Sequence, residues 1–487
     1  MQPEHLSFGG GVSETIVNPL VLLVAVIAGL LVCFSPRNRA VAAFLAAGLL
    51  IPMDHVLVLG GLHFPMLRIL ILFGIARMIR SKTTSQSEIF SGGMTRLDVT
   101  LVFFELVTAV NALLLWRNSG MLVKQLGDLF TVFGIYFLMR FLIRDGEDVE
   151  KALRVLAYIT VVVATIMIYE QATGHNPYAL LGGAKAAFYE SDLSREDRLR
   201  AVAGFGHPIL AGTFGAIVMP LFVGLWLKDK KNLQVALAGF VASTVVVWAS
   251  ASSTPLLAYA GALMALCIWP LRKLMRPIRW GIVLLLVSLH MAMKAPVWQL
   301  IDRMSIIGGS SGYHRYQLVD QCIRHFGDWW LYGVKDTGAW GWDMWDTANQ
   351  YVSVADSTGL LPLILFVTLI TYGFKFVVQS REAWAGNTKM QQYSWALGGA
   401  LFANCVGFFG ISYWDQTQLV WYAFLAIIVA SYYSVPAAAE ATATVLVPVE
   451  PVKAAMPRPA YASENSKTVN SYGRMVTGRL SSKLPTK

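Results

Sequence analysis

Phe205-Gly-His-Pro-Ile-Leu-Ala-Gly-Thr-Phe-Gly-Ala-Ile-Val-Met-Pro-Leu-Phe-Val-Gly-Leu-Trp-Leu227 contains no Asp, Glu, Lys or Arg, and Lys228, Lys230 and Lys231 follow it at once. A helix crossing roughly 30 Å of hydrocarbon needs about 20 mainly apolar residues, because lipid offers its backbone no hydrogen bonds. Residues 205–227 meet that requirement and end in a basic cluster. Similar runs lie at 16–34, 40–59, 65–79, 99–116, 126–143, 155–169, 235–250, 254–269, 280–295, 360–377, 393–411 and 418–433. The run at 65–79 is short and contains Arg68.

The composition agrees. Of 487 residues, 56% are hydrophobic and 14% charged, with mean hydropathy +0.55. A soluble chain lacks the interior volume to hide that much apolar side chain and carries about a quarter charged residues. The fold class is therefore an all-α polytopic membrane protein of about 12–13 transmembrane helices. A net charge of +10 suggests nucleic acid in a soluble chain, but Lys and Arg here sit mostly in short connections between apolar runs. Membrane orientation accounts for that distribution, and no nucleic-acid partner is expected.

Basic connections alternate with connections poor in Lys and Arg. Arg37 and Arg39, Arg77 to Arg96, Arg140 to Arg154, Lys228 to Lys231, Arg272 to Arg279 and Lys375 to Lys389 mark the cytoplasmic side. The intervening connections face outward, which gives thirteen spans with the N-terminus outside, or twelve with it inside if 65–79 is re-entrant. The first fifteen residues carry no Lys or Arg, which argues against a cleavable signal peptide. Cys33, Cys267, Cys322 and Cys405 show no metal or disulfide spacing.

Three regions follow: an N-terminal transmembrane bundle, 1–170; a core, 171–434, with outward connections 171–204 and 296–359; and a disordered cytoplasmic tail, 435–487, rich in Ala, Pro, Val and Ser. The two outward connections break the charge rule. Lys185, Arg195, Arg198 and Arg200 lie in the first, and Arg303, Arg315, Arg324 and Lys335 in the second. An anionic ligand explains cations kept on that side; so does translocation of long loops regardless of charge, with pairing to Glu190, Asp192, Glu196 and Asp197.

Arg198 and Arg200 precede Gly206-His207-Pro208, where Pro suits a first helical turn, so guanidinium forks meet a helix N-terminus at headgroup depth. A lipid-linked phosphate fits this arrangement, as does headgroup anchoring. In the second connection, Leu318, Val319, Cys322, Ile323, Phe326 and Trp330 recur at helical spacing and predict an amphipathic surface helix with Arg315 in its first turn. Trp329, Trp330, Trp340, Trp342 and Trp345 stand beside Asp328, Asp336, Asp343 and Asp346. Indole faces beside carboxylates suit sugars, and an interfacial aromatic belt also predicts Trp. In or beside the spans, Asp54, His55, Arg68, Glu105, Asp128, Glu170, His290 and Lys294 are ionisable, and buried pairing is expected for Glu105. They form no ladder of a proton or ion relay.

Four segments in order resemble the O-antigen ligase and Wzy-type polysaccharide polymerase superfamily of bacterial membrane glycosyltransferases. They are Tyr169-Glu-Gln-Ala-Thr-Gly-His-Asn-Pro177, Arg200 to Pro208, Ser311-Gly-Tyr-His-Arg315, and Asp346-Thr-Ala-Asn-Gln-Tyr351 leading into Gly359. The resemblance spans roughly residues 150 to 375. It implies transfer of glycan units from a polyprenyl-pyrophosphate donor to an acceptor glycan or lipid, at the periplasmic face of the bacterial inner membrane, with no cofactor or metal. It also implies pyrophosphate binding by Arg200 and Arg315, with Arg198, His207, Asn349 and Tyr351 as further substrate contacts. The family pattern Asp-x-His-Asn departs here to Asp346-Thr-Ala348-Asn349. Alanine cannot take a proton, so Asp346, His314 and Asp320 are the candidate bases, or leaving-group stabilisation carries the reaction. Rival readings are a lipid-linked oligosaccharide flippase, with polar groups at the bilayer midplane, and a non-catalytic member of an assembly complex.

Overall fold

In the computed structural model, residues 15–52, 54–84, 89–182, 194–195, 198–304 and 311–434 are described. The tail at 435–487 lies outside them. The chain runs α1 (Pro19–Phe34), α2 (Arg37–Leu50), β1 (Val56–Leu59), β2 (Leu62–Pro65), α3 (Met66–Thr84), α4 (Arg96–Trp116), α5 (Ser119–Leu142) and α6 (Gly146–Thr173). It continues through β3 (Ser194–Arg195), β4 (Arg198–Leu199), α7 (Pro208–Lys228), α8 (Leu233–Ala249), α9 (Ser253–Cys267) and α10 (Met275–Ala292). After these come α11 (Ser311–Arg324), α12 (Phe326–Trp329), α13 (Gln350–Thr358), α14 (Leu360–Ala383), α15 (Thr388–Gly407) and α16 (Gln416–Tyr433).

A helix occupies every apolar run. Among the described residues seven are long and apolar enough to cross a membrane: α4, α5, α6, α7, α8 with its leading turn, α10 with its leading turn, and α14. The chain is a polytopic helical membrane protein. The run 40–59 departs from a single span: its helix stops at Leu50, and Val56–Leu59 pairs antiparallel with Leu62–Pro65. Gly60 and Gly61 make that turn at φ +58° and +80°, the two left-handed positions that a tight hairpin requires.

α7 is the most enclosed of the seven, because it is apolar on all sides and packs against α8, α9 and α15. Gly215 brings it against α8, where an added Cβ would lie 2.9 Å from the Ser243 carbonyl oxygen. Helices from both sides of residue 170 interleave, α4 on α14 and α5 on α16, so the packing has no seam there. α10, by contrast, has no buried residue.

The amphipathic helix forms, with corrections. α11 buries Leu318 and Cys322 as expected, but a break at His325 (φ −94°, ψ 25°) turns the chain into α12. This rotates Trp329 inward, where its Nε1–H donates to the Cys322 carbonyl at 2.7 Å, and leaves Trp330 47% exposed. α11 as described starts at Ser311, so Arg315 sits past its first turn.

Candidate functional site

Four stretches meet at one end of the bundle: 199–207, the α8–α9 turn, the α15–α16 connection and the start of α13. Glu170 and Gln171, at the end of α6, build the first junction. Glu170 accepts the backbone N–H groups of Val202 and Ala203, and the Gln171 side chain donates to the carbonyls of Leu199 and Ala249. The Asn176 amide donates to the Ala203 carbonyl at 2.8 Å. This network holds Ala203 in the left-handed region at φ 51°. Arg200 lies within this frame, 7% exposed, and donates to the Ser252 hydroxyl at 3.0 Å. Ala201 N–H pairs with the Ala249 carbonyl.

The junction extends to the later stretches. The Gln416 side chain donates to the Gly204 carbonyl at 2.6 Å, and Gln350 N–H to that of Phe408 at 2.8 Å. His207 has a structural role: its Nδ1 accepts the Ile209 N–H and caps α7, with Pro208 at the first helical position. Asn349 likewise caps α13 by accepting the N–H groups of Tyr351 and Val352, and is fully buried. The Tyr351 hydroxyl donates to the Cys405 carbonyl.

Arg315, 8% exposed, projects from α11, which packs against α13. Arg200 is thus tied to the α8–α9 turn through Ser252, and Arg315 is carried on a helix that packs against α13. Arg198 belongs to β4, and its side chain lies outside the described part.

The three candidate bases differ in environment. Asp320 is buried and both its oxygens are engaged, by Trp298 Nε1 at 3.0 Å and by Arg324 Nε at 2.6 Å. His314 Nε2 lies 2.9 Å from the Asp343 carbonyl oxygen and 3.8 Å from its carboxylate. Asp346 is exposed, on the stretch that leads to Ala348 and Asn349. The tryptophans split as well: Trp329 and Trp340 form part of a small core with Leu318, Cys322 and Met344, whereas Trp342 and Trp345 are 92% and 72% exposed.

Sequence reasoning passed over several residues. Gln171, Asn176, Ser252, Gln350 and Gln416 hold the junction, and the signal for the first two lay in the 169–177 segment itself. Asp356, on α13, is 3% exposed, and one of its carboxylate oxygens has no hydrogen-bond partner among the described residues. Burial pushes its carboxyl up to about 8, and burial likewise pushes the neighbouring Cys322 thiol up to about 12.

Two cavities flank α13. One, of about 430 Å³, has nearly all-apolar walls that include Ile323, Phe326, Tyr351, Val352, Leu363 and Phe409. The other, of about 340 Å³, has mixed polar and apolar walls and descends between α4 and α5 to Glu105. As expected, Glu105 is buried and paired: it accepts the Tyr422 hydroxyl at 2.7 Å. Among the described residues no group of His, Cys, Asp and Glu forms a metal site. No family model matches the chain, and no curated protein matches it.

Proposed function

We propose that the protein transfers glycan units from a polyprenyl-pyrophosphate donor to a sugar hydroxyl at the outer face of a bacterial inner membrane, as a polysaccharide polymerase or, in the closely related reading, an O-antigen ligase. The observation that supports this reading is the burial of two arginines, Arg200 and Arg315, on connections expected to face outward, together with an apolar groove of about 430 Å³ lined by α13 and by α11, the helix that carries Arg315. Burying a guanidinium is costly unless anionic or hydrogen-bonding groups meet it, and its planar fork matches phosphate oxygens. The apolar groove lined by α11 and α13 suits an isoprenoid chain. In the transfer step the acceptor oxygen bonds to the anomeric carbon as the bond to the pyrophosphate oxygen breaks. The two guanidiniums neutralise the charge that grows on the leaving group.

His314, Asp346 and Asp320 are the candidate bases, and of these Asp320 is held through both oxygens by Trp298 and Arg324. Base catalysis contributes about 100- to 10,000-fold, so leaving-group stabilisation alone still supports slow turnover. Arg200→Ala and Arg315→Ala are expected to abolish polymer while the protein stays in the membrane; normal polymer from both removes the proposal. Deleting the gene and analysing lipid-linked intermediates separates the two activities. Single repeat units accumulate for a polymerase, finished but untransferred polymer for a ligase.

The cavity that descends to Glu105, with its polar groups at mid-helix depth, favours a second reading, translocation of a lipid-linked oligosaccharide. Movement of such a substrate across vesicles without a new glycosidic bond would establish it. A non-catalytic role in an assembly complex, consistent with Ala348, predicts neither bond formation nor movement.

A further inference from the structure

α13 has two faces of opposite chemistry. Tyr351, Val352 and Ala355 line the apolar groove, whereas Gln350, Ser353 and Ser357 line the polar part of the cavity of about 340 Å³, whose walls are mixed. Across that cavity stand Glu105 and Thr108 of α4 and Gln125 and Asp128 of α5. Trp116 and Glu105, which both line it, are about 16 Å apart along α4 at the rise of a helix. The cavity therefore runs from the loop end of the bundle to the middle of a spanning helix.

Its charges are met from within. Glu105 accepts the Tyr422 hydroxyl, and Asp128 lies 3.8 Å from Lys124 and 3.7 Å from Arg68. A cation would compete with Lys124 and Arg68 for Asp128, and an anion drawn to Lys124, which also lines the cavity, would meet Glu105 and Asp128. A purely apolar ligand fails on other grounds. The Thr108 hydroxyl oxygen is buried with no hydrogen-bond partner among the described residues, and the Gln125 amide donates to the sulfur of Met121, a weak acceptor. A ligand carrying several hydroxyls, each able to donate and accept, satisfies these groups together. Trp116 at the mouth adds an apolar face of the kind a pyranose ring stacks on. The volume lies at the low end for small-molecule sites, which limits the occupant to a short saccharide.

We propose that this cavity is a saccharide subsite that receives one or two neutral sugar units of the glycan acceptor. The ligand class follows from the lining; the role as acceptor rests on the glycan-transfer reading above. α13 then divides the work, with the lipid chain of the donor on one face and the sugar of the acceptor on the other.

The test uses the full-length protein in lipid nanodiscs, with the exposed Cys267 replaced by Ser and a thiol introduced by Ser357→Cys at the cavity wall. The probes are cellobiose, chitobiose and rhamnose, and the readout is the rate of maleimide labelling at position 357. At least one probe is expected to slow labelling, and Thr108→Val or Gln125→Ala to weaken that protection by about tenfold each, the effect of losing one well-placed hydrogen bond. Ser353→Trp, which fills the cavity, is expected to stop polymer formation in cells. Labelling that no probe slows, or that is slowed equally in both cavity variants, overturns the proposal. If Arg200→Ala and Arg315→Ala lose polymer while no probe protects, the subsite fails and the donor reading stands. If those arginine variants keep polymer while protection is seen, the donor reading fails and the subsite stands.

Discussion

Glu170 holds Ala203 in place: a single carboxylate oxygen accepts the N–H of Ala203 at 2.9 Å and that of its neighbour Val202 at 3.0 Å. The glutamate ends a membrane-spanning helix, and the two amides follow the buried Arg200. Placement of the arginine is thus delegated to a residue that does not touch it.

Glu170→Ala leaves two buried donors without an acceptor, a cost of about 1–3 kcal/mol for each. The segment is expected to loosen, and trypsin to cut after Arg200 faster than in the wild type, with loss of polymer. Glu170→Gln keeps a carbonyl oxygen for the amides and is expected to behave close to wild type in both assays. Equal trypsin rates for wild type and the Ala variant would show that the carboxylate does not position the arginine.

Gly215 supports the same site from below. A Cβ at that position would lie 2.9 Å from the Ser243 carbonyl oxygen and 2.9 Å from Val246 Cγ1, and backbone cannot swing aside as a side chain does. Gly215→Ala is therefore expected to force α8 away from α7 and to destabilise by about 1–3 kcal/mol. Gly281, on α10, has nothing within 4 Å of such a Cβ. Gly281→Ala should instead be neutral or stabilise by up to about 1 kcal/mol through helix propensity. Thermal unfolding in detergent, followed by size-exclusion fluorescence, reports both.

Much of the fold is legible because the bilayer imposes one rule. Every lipid-exposed backbone must close its own hydrogen bonds, so each apolar run becomes a helix. Where that rule does not act, the sequence says less. The run 40–59 reads as one span because hydropathy does not distinguish the helix ending at Leu50 from the strand at Val56–Leu59; the Gly60-Gly61 pair is the sign of the hairpin. The surface helix was visible in its apolar spacing, but the break at His325 was not, since no Pro or Gly occupies that position. The amphipathic stripe consequently ran on to Trp330 when Trp329 is the buried indole. At the site, Arg200 and Arg315 stand out in the sequence as cations on connections that the charge pattern expects to face outward. Ser252 and Gln416 do not, because the contacts that define them join residues 52 and 212 positions apart.

Asp98 and Arg140 form a buried pair at the other end of the bundle. The arginine Nε donates to Asp98 at 3.2 Å and one of its terminal nitrogens to the Gly93 carbonyl at 3.1 Å, while the Tyr136 hydroxyl also donates to the carboxylate. Asp98 in addition completes a capping box with Thr95 at the start of α4. Removing one partner strands a buried charge, so Arg140→Ala is expected to destabilise by about 3–5 kcal/mol. Combining Arg140→Met with Asp98→Asn removes both charges and keeps an oxygen for the cap. This double variant is expected to recover much of the loss, and a melting temperature below that of Arg140→Ala alone would refute the account.

Asp356 makes stability depend on pH in a direction opposite to that of a salt-bridged carboxylate. Its carboxyl is pushed from an ordinary 3.8 up to about 8 by burial, so between these values the unfolded chain has released a proton that the folded protein retains. The unfolded state then binds fewer protons, and stability falls as pH rises through that window. The contribution is fully present below about 4 and exhausted above about 8. The facing Cys322 thiol, itself pushed up to about 12, stays neutral throughout and offers no compensating charge. Asp356→Asn keeps the shape and removes the titration. It is expected to melt at a higher temperature than the wild type at pH 8, with the gap closing steadily toward pH 4, and a gap independent of pH would show that this carboxyl titrates normally in the folded protein.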